Sequence, residues 1–434
     1  MNAWTRIYES KITTAAEAIK SIPDNANLFL TGNCSIPTAL LDALVQRARA
    51  GDVAGLTIHQ LLTLGDADYV SPDLAGKIKV NAMFIGPNVR QAVNDGRADF
   101  TPVFLSEIPG LFKQDIIPLD ASLVHLSPPD EHGFCSYGVE VGVTKPAAGA
   151  SRIIIAEVNE RMPRTLGDSF IHVSKLTHVV PVDYPLIELA QGEPGELEKA
   201  IGAHVAEMIP DGATLQLGIG AIPDGVLYYL TDKRDLGIHT ELFSDGVVDL
   251  VEMGVVTNER KTLHPGKIIC GMILGSQRLY DFVHDNAMVE FHPQDYVNDP
   301  FIIAKNDSMV SINSAIEVDL TGQVCADSMG HRLYSGVGGQ VDFVRGAARS
   351  KGGKPIIALP STAKKGTISR IVPALKPGAG VVTSRNDVHY IVTEYGVADL
   401  YGKTIRQRVE ALIGIAHPDF RADLRKQAAA LHYI

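Results

Sequence analysis

Pro210-Asp211-Gly212-Ala213-Thr214-Leu215-Gln216-Leu217 decides the fold, because the chain carries a near copy of it at Pro23-Asp24-Asn25-Ala26-Asn27-Leu28-Phe29-Leu30. In each copy a turn residue pair leads into an apolar run of strand length. A small-residue turn follows: Thr31-Gly32-Asn33-Cys34-Ser35 in the first and Gly218-Ile219-Gly220-Ala221 in the second. Each then passes a proline, Pro37 or Pro223, into a leucine-rich helical pattern, Leu40-Leu41-Asp42-Ala43-Leu44 or Val226-Leu227-Tyr228-Tyr229-Leu230. One residue of slip aligns the copies. An amphipathic helix precedes both, over residues 5–22 and over Glu196–Ile209. The reading is a duplicated strand-turn-helix unit, hence two similar α/β domains, where length alone suggests about three.

Working outward, further apolar runs read as buried strands. Before the second copy these are Leu56–Ile58, Ile78–Phe84, Ala121–His125 and Arg152–Glu157; after it, Ile268–Met272, Met309–Ile312, Pro355–Leu359 and Gly380–Thr383. Continuous apolar strands alternating with helices predict mainly parallel open sheets, covered on both faces. Tyr184-Pro185 and Gln191-Gly192-Glu193-Pro194-Gly195 punctuate the chain, so the domains are set at 1–185 and 196–434. Two such sheets place the expected active site in the cleft between domains.

Composition narrows the function. A net charge of −11 argues against broad nucleic-acid binding, which needs a basic face. Four dispersed cysteines (Cys34, Cys135, Cys270 and Cys325) show neither a CxxC nor metal-ligand spacing, and a reducing, cytoplasmic setting fits them best. The first residues hold no apolar secretory segment, and no apolar run reaches membrane-spanning length, so no membrane is expected.

Five stretches could carry chemistry. In His239-Thr240-Glu241-Leu242-Phe243-Ser244-Asp245-Gly246-Val247-Val248-Asp249-Leu250 a short strand gives way to a helix capped by Ser244 or Asp245, with Gly254 placed to end it. Glu241 falls at the strand's carboxyl end, where open α/β sheets put their ligand sites. It is a candidate nucleophile, or merely a helix-start charge. Gly218-Ile219-Gly220-Ala221-Ile222-Pro223 opens a helix and suits an anion on its backbone N–H groups. A tight structural turn explains it equally well. With Glu241 as a ribose-binding acid, the same unit also fits a nicotinamide-dependent oxidoreductase, although Pro223 stands where that fingerprint wants its third glycine. Pro223 suits the first helical position instead.

The loop Ser335-Gly336-Val337-Gly338-Gly339-Gln340-Val341-Asp342-Phe343 spends backbone entropy on three glycines, for a ligand or for close packing. Lys364, Lys365 and Arg370 surround a turn after a strand and could hold phosphates, or lie on a solvated surface. His125–Ser136 mixes His, acid and Cys, but Pro128 and Pro129 break any helix that could gather them, and it reads as a rigid loop into the cleft. No histidine stands next to Cys34 or Cys135 in sequence to activate either thiol, so both read as buried.

The motifs at 218–223, 239–250 and 334–343, with Thr393-Glu394-Tyr395-Gly396-Val397-Ala398, occur in an order and spacing that resemble the acetyl-CoA hydrolase/transferase family of class I CoA-transferases. The resemblance spans the chain from Asn33 to Tyr401. It implies exchange of coenzyme A between a short acyl-CoA, of butyryl or 4-hydroxybutyryl type, and a carboxylate such as acetate. It makes Glu241 the nucleophile, carrying a glutamyl-CoA thioester in a ping-pong sequence. It sets coenzyme A against Gly218, Ile219, Gly220, Ala221, Ile222, Gly338 and Gly339; Lys364 is added from its charge. Hydrolysis of the acyl-CoA by the same glutamate is the alternative. The implied protein is a homo-oligomer, dimer or tetramer, that needs no metal and no nucleotide cofactor.

Overall fold

The structure is a computed structural model that describes residues 3–189 and 192–434. Its chain forms two compact units, Met1–Ala190 with Ile269–Val297, and Gln191–Ile268 with Asn298–Ile434. The segment 269–297 therefore packs with the first unit, although its place in the sequence had assigned it to the second domain.

In the first unit β1 (Asn27–Leu30), β2 (Leu56–Gln60), β3 (Ile78–Ala82), β4 (Asp99–Phe100), β5 (Ala121–Leu126), β6 (Ile153–Asn159) and β7 (His178–Val182) form one sheet. Its order is β7-β6-β5-β1-β2-β3-β4, with every pairing parallel. The central strands carry no polar face: all six residues of β5 are buried, as continuous apolar sequence requires of a sheet covered on both sides. From β1 the chain turns through Asn33, which adopts a left-handed backbone (φ 54°), into α1 (Thr38–Ala50). A left-handed residue lets the strand end abruptly, and asparagine tolerates that conformation better than most.

The second unit repeats the plan. After α2 (Glu196–Glu207) come β8 (Thr214–Leu217), α3 (Ala221–Tyr228), β9 (Gly237–Ile238), α4 (Asp245–Glu252), β10 (Met309–Ser314), α5 (Gln340–Arg349), β11 (Lys354–Ala358), β12 (Tyr390–Thr393) and β13 (Gly396–Asp399). The sheet runs β9-β8-β10-β11-β12-β13, parallel except for the antiparallel last pair. The order β2-β1-β5-β6-β7 of the first unit thus reappears as β9-β8-β10-β11-β12. Register agrees as well: Leu30 pairs with Leu123 and that with Ile155, while Leu217 pairs with Ile312 and that with Ile356.

Three elements differ from the sequence reading. The lead helix over 5–22 is two short helices, Ala3–Glu9 and Ala15–Ile19, because Thr13 N–H donates to Val179 O and Val179 N–H to Lys11 O, pinning the intervening chain to β7. The strand at 268–272 breaks at Gly271, whose carbonyl turns aside to accept the N–H groups of Val141 and Gly142. Gly380–Thr383 makes only a single bridge from Thr383 to Val324. Among the described residues no helix is long and apolar enough to cross a membrane.

Candidate active site

Glu241 lies three residues beyond β9, just before a short strand, Leu242–Phe243, that leads to α4. Thr240, just before it, is fully buried, and its hydroxyl reaches both Leu217 O (2.9 Å) and Leu242 O (2.8 Å). Gly218 follows Leu217 and Glu241 follows Thr240, so this hydroxyl ties the backbone at the start of the glycine turn to the backbone that carries Glu241. Farther back, His239 is buried with its ring 6.2 Å from that of Phe343 on α5, and Asn306 lies 3.4 Å from its Nδ1.

The second glycine loop arrives at the same place. Gln340, the first residue of α5, donates through Nε2 to Ser314 O at the end of β10 (2.7 Å) and accepts from Thr383 Oγ1 (2.8 Å). These bonds hold the helix start, with Gly338 in the left-handed region (φ 59°) and Gly339 as the N-cap. A Cβ built on Gly339 would lie 1.8 Å from Glu241 Oε2 and 2.3 Å from Asn298 Nδ2. Glycine is required here by contact, since its φ of −95° is one any residue can adopt.

Glu241 is partly exposed as a residue, while its carboxyl is withdrawn from water. That burial raises its pKa above the ordinary carboxylate range, and hydrogen bonds from the Asn298 side chain and the Gly339 backbone pull it back down. Asn298 Nδ2 donates to Oε2 at 3.1 Å. The helix start that meets the carboxyl is therefore that of α5, not the following helix α4 as proximity in sequence had implied. Aimed donors of this kind stabilise negative charge on the oxygen they face.

The first glycine turn is open. Gly218 and Gly220 have no neighbour within 4 Å on the side a Cβ would take, and Gly220 has φ 111°. Gly220 is the N-cap of α3, Ala221 and Ile222 are its first residues, and Pro223 falls third rather than first. The third N–H of a helix also lacks an intrahelical acceptor, so proline is tolerated there. α3 has no side-chain cap on its first N–H groups. Lys364 sits at the exposed tip of a hairpin between Thr362–Ala363 and Ile368–Ser369, with φ 49°. Cys34 and Cys135 are buried, and desolvation pushes their thiols up to about 11 and about 12, away from nucleophilic use at neutral pH. His125 is not in a loop but in β5, fully buried. Among the described residues no cluster of His, Cys, Asp and Glu could hold a metal ion.

Asn298 was invisible in sequence. Its one local signal is Asp299-Pro300 after it, a helix start in which Asp299 accepts from Phe301 N–H. That fixes where Asn298 sits in the chain but says nothing of what it faces.

Family models match both parts of the chain: the acetyl-CoA hydrolase/transferase N-terminal domain over residues 2–188 and its C-terminal domain over 275–428. The chain belongs to the acetyl-CoA hydrolase/transferase family. Within it, the chain is similar to 4-hydroxybutyrate coenzyme A transferase of Clostridium kluyveri, 52% identical over 98% of both chains. Among solved structures, RipA from Yersinia pestis matches with a TM-score of 0.94 and 39% identity over the whole of both chains. The 4-hydroxybutyrate CoA-transferase from Porphyromonas gingivalis matches with a TM-score of 0.86 and 42% identity, over 99% of this chain and 100% of that one. Family membership displaces the nicotinamide reading of the 218–241 unit.

Proposed function

We propose that this CoA-transferase moves coenzyme A between short carboxylic acids through a covalent glutamyl thioester on Glu241. The observation that carries the reading is the pair of donors, Gly339 N–H and Asn298 Nδ2, closing on one carboxyl. A carboxylate attacks the thioester carbonyl of an acyl-CoA, giving a mixed acyl-glutamyl anhydride and releasing CoA thiolate. The thiolate then attacks the glutamyl carbonyl, forming glutamyl-CoA and freeing the first acid. A second carboxylate reverses the sequence, so no proton or electron is gained or lost overall. Each addition puts negative charge on a carbonyl oxygen, and one aimed donor there is worth roughly 3 kcal/mol. Partial desolvation keeps Glu241 reactive, since a carboxylate stripped of water is a better nucleophile.

In this reading Gly218, Ile219, Gly220, Ala221 and Ile222 present backbone N–H groups to the coenzyme, Gly338 and Gly339 border it, and Lys364 meets its phosphates as a point charge. The likeness to 4-hydroxybutyrate coenzyme A transferase supports a four-carbon hydroxyacyl group as one partner.

The test is to incubate the protein with butyryl-CoA and no acceptor, trap with hydroxylamine or borohydride, and map the modified peptide. The expected result is a single modification at Glu241, absent in Glu241→Gln, with butyrate release stopping at one equivalent, and CoA held on the protein, until acetate is added. Continued release without an acceptor makes the protein a hydrolase. Full turnover without any adduct overturns the covalent reading.

A further inference from the structure

Asn298 is a fully buried side chain that donates to Glu241, and what aims its amide is not obvious. An asparagine amide has a donor end and an acceptor end of nearly equal size, and only its partners decide which end faces where. Asn298 Oδ1 is buried with no hydrogen-bond partner, so nothing on the oxygen side holds the group. The nitrogen side is different. Nδ2 lies 3.1 Å from Glu241 Oε2 and 3.5 Å from Asp342 Oδ2. Asp342 is itself buried, in the first turn of α5, two residues beyond the Gln340 that fastens that helix to β10.

We propose that Asp342 is a positioning residue for the transfer reaction: its carboxylate holds the second N–H of Asn298, so that the first always points at the reacting carboxyl. The proposal rests on the reading of Glu241 as nucleophile. The physical need arises during turnover. While Glu241 is a carboxylate, its own charge keeps the Asn298 nitrogen facing it. Once it becomes an anhydride or a thioester it is neutral, and that attraction falls. A flipped amide would then put Oδ1 against a carbonyl oxygen about to become negative. Asp342 stays an acceptor through every step and denies the amide that flip. A fixed dipole that need not reorganise is what makes such a donor effective.

The experiment is a double-mutant cycle on the whole enzyme with Asn298→Ala and Asp342→Asn. Asp342→Asn preserves shape but offers the Asn298 nitrogen a partner that can itself turn. It should lower kcat about tenfold, with KM for butyryl-CoA unchanged. Asn298→Ala should cost roughly a hundredfold to a thousandfold, as loss of one oxyanion donor does. In the Asn298→Ala background, Asp342→Asn should then cost nothing further. Equal additive losses in both backgrounds would overturn the proposal, because a purely structural Asp342 harms the enzyme whether or not Asn298 is present. If Asp342→Asn fails to fold by circular dichroism, Asp342→Ser takes its place in the cycle. The rate of hydroxylamine-trapped adduct formation, read in the same proteins, separates this from failure of the underlying reading. Wild type without an adduct defeats the glutamyl mechanism, whereas an adduct formed equally fast in wild type and Asp342→Asn defeats only the role of Asp342.

Discussion

Gly339 and Glu241 are in contact so close that no side chain fits between them: a methyl group at residue 339 would lie 1.8 Å from the glutamate's Oε2. Since the backbone at 339 is ordinary (φ −95°), Gly339→Ala should fold normally and disturb only the Glu241 carboxyl and the Asn298 amide that it displaces. We expect kcat to fall by at least roughly a hundredfold, the loss of one aimed donor, with the thermal midpoint shifted by only a few degrees. Gly149→Ala is the matched control. It sits in the helix Thr144–Ala150 with nothing within 4 Å of the added carbon, so activity should be unchanged and stability slightly higher. A Gly339→Ala enzyme with full activity would show that Glu241 does not react from this position.

Some of this geometry was legible in sequence and some was not, for a physical reason. The strand-turn-helix around Glu241 is local: the end of α4 with Gly254 at φ 74° is set by residues within a few positions of each other, and a sequence reader can see it. The duplication is legible too, because both copies had to satisfy the same strand and turn. Asn298 stands 57 residues from Glu241 and meets it only when the chain has closed, so no periodicity or spacing announces it. Likewise three glycines in the 336–339 loop were a visible expense, yet whether they served a ligand or packing depended on which side chain would press against them. For Gly339 it is Glu241 itself. The strands β12 and β13 were missed because Glu394-Tyr395 between them reads as a loop, and one face of β13 is exposed, with Val397 and Asp399 outward.

Glu140 should make stability depend on pH in a defined direction. It is fully buried, accepts from Val143 N–H (3.2 Å) and the Thr144 hydroxyl, and burial pushes its pKa up to about 7 from an ordinary 4.5. The folded protein therefore binds more protons than the unfolded chain between those values. The stability this confers is complete below about 4.5 and is lost as pH rises to about 7. Glu140→Gln cannot ionise and escapes the loss. Its thermal midpoint relative to wild type should rise from about pH 5 to about pH 7 and level off above. Glu157, also raised to about 7, contributes the same slope to both proteins and drops out of the difference. His59 and His125, lowered to about 4 and about 3 by burial, weaken both proteins as pH falls below 6.5 and drop out likewise. A difference that does not vary with pH would show that Glu140 is ionised throughout.

Cys34 occupies the first unit's counterpart of the Gly218 turn and invites suspicion as a nucleophile. Desolvation holds its thiol at about 11, with hydrogen bonds from the Tyr280 side chain and the Gly275 backbone offsetting only part of the shift. At about pH 8 that leaves roughly one thiolate in a thousand. Native protein treated with iodoacetamide at that pH should retain activity and show no alkylated Cys34 peptide, while denatured protein alkylates fully. Rapid loss of activity with labelling at Cys34 would place a thiol in the reaction.

Lys364 can be tested without disturbing the fold. Its backbone is left-handed and its side chain exposed, so Lys364→Gly removes the charge and relieves a mild backbone strain together. If the cation meets the coenzyme's phosphates, KM for acyl-CoA should rise several-fold while kcat stays the same. The difference should shrink toward 1 M salt, where charges are screened within about 3 Å. An unchanged KM at low salt would return Lys364 to the solvated surface.

Thr240 provides the last test, because its one hydroxyl joins the backbone before the Gly218 turn to the backbone around Glu241. Valine has nearly the same shape but leaves Leu217 O and Leu242 O without that hydrogen in a fully buried place. A lost buried hydrogen bond of this kind costs about 1–3 kcal/mol, so the denaturation midpoint of Thr240→Val should fall accordingly. The functional expectation is sharper. Binding of acyl-CoA at the Gly218 turn should survive, since its backbone is untouched, whereas the rate of the first covalent step should drop as Glu241 loses its fixed distance from that turn. Single-turnover trapping against equilibrium binding separates the two. If binding and trapping decline together, Thr240 supports the unit as a whole rather than the spacing between its glycine turn and its carboxylate.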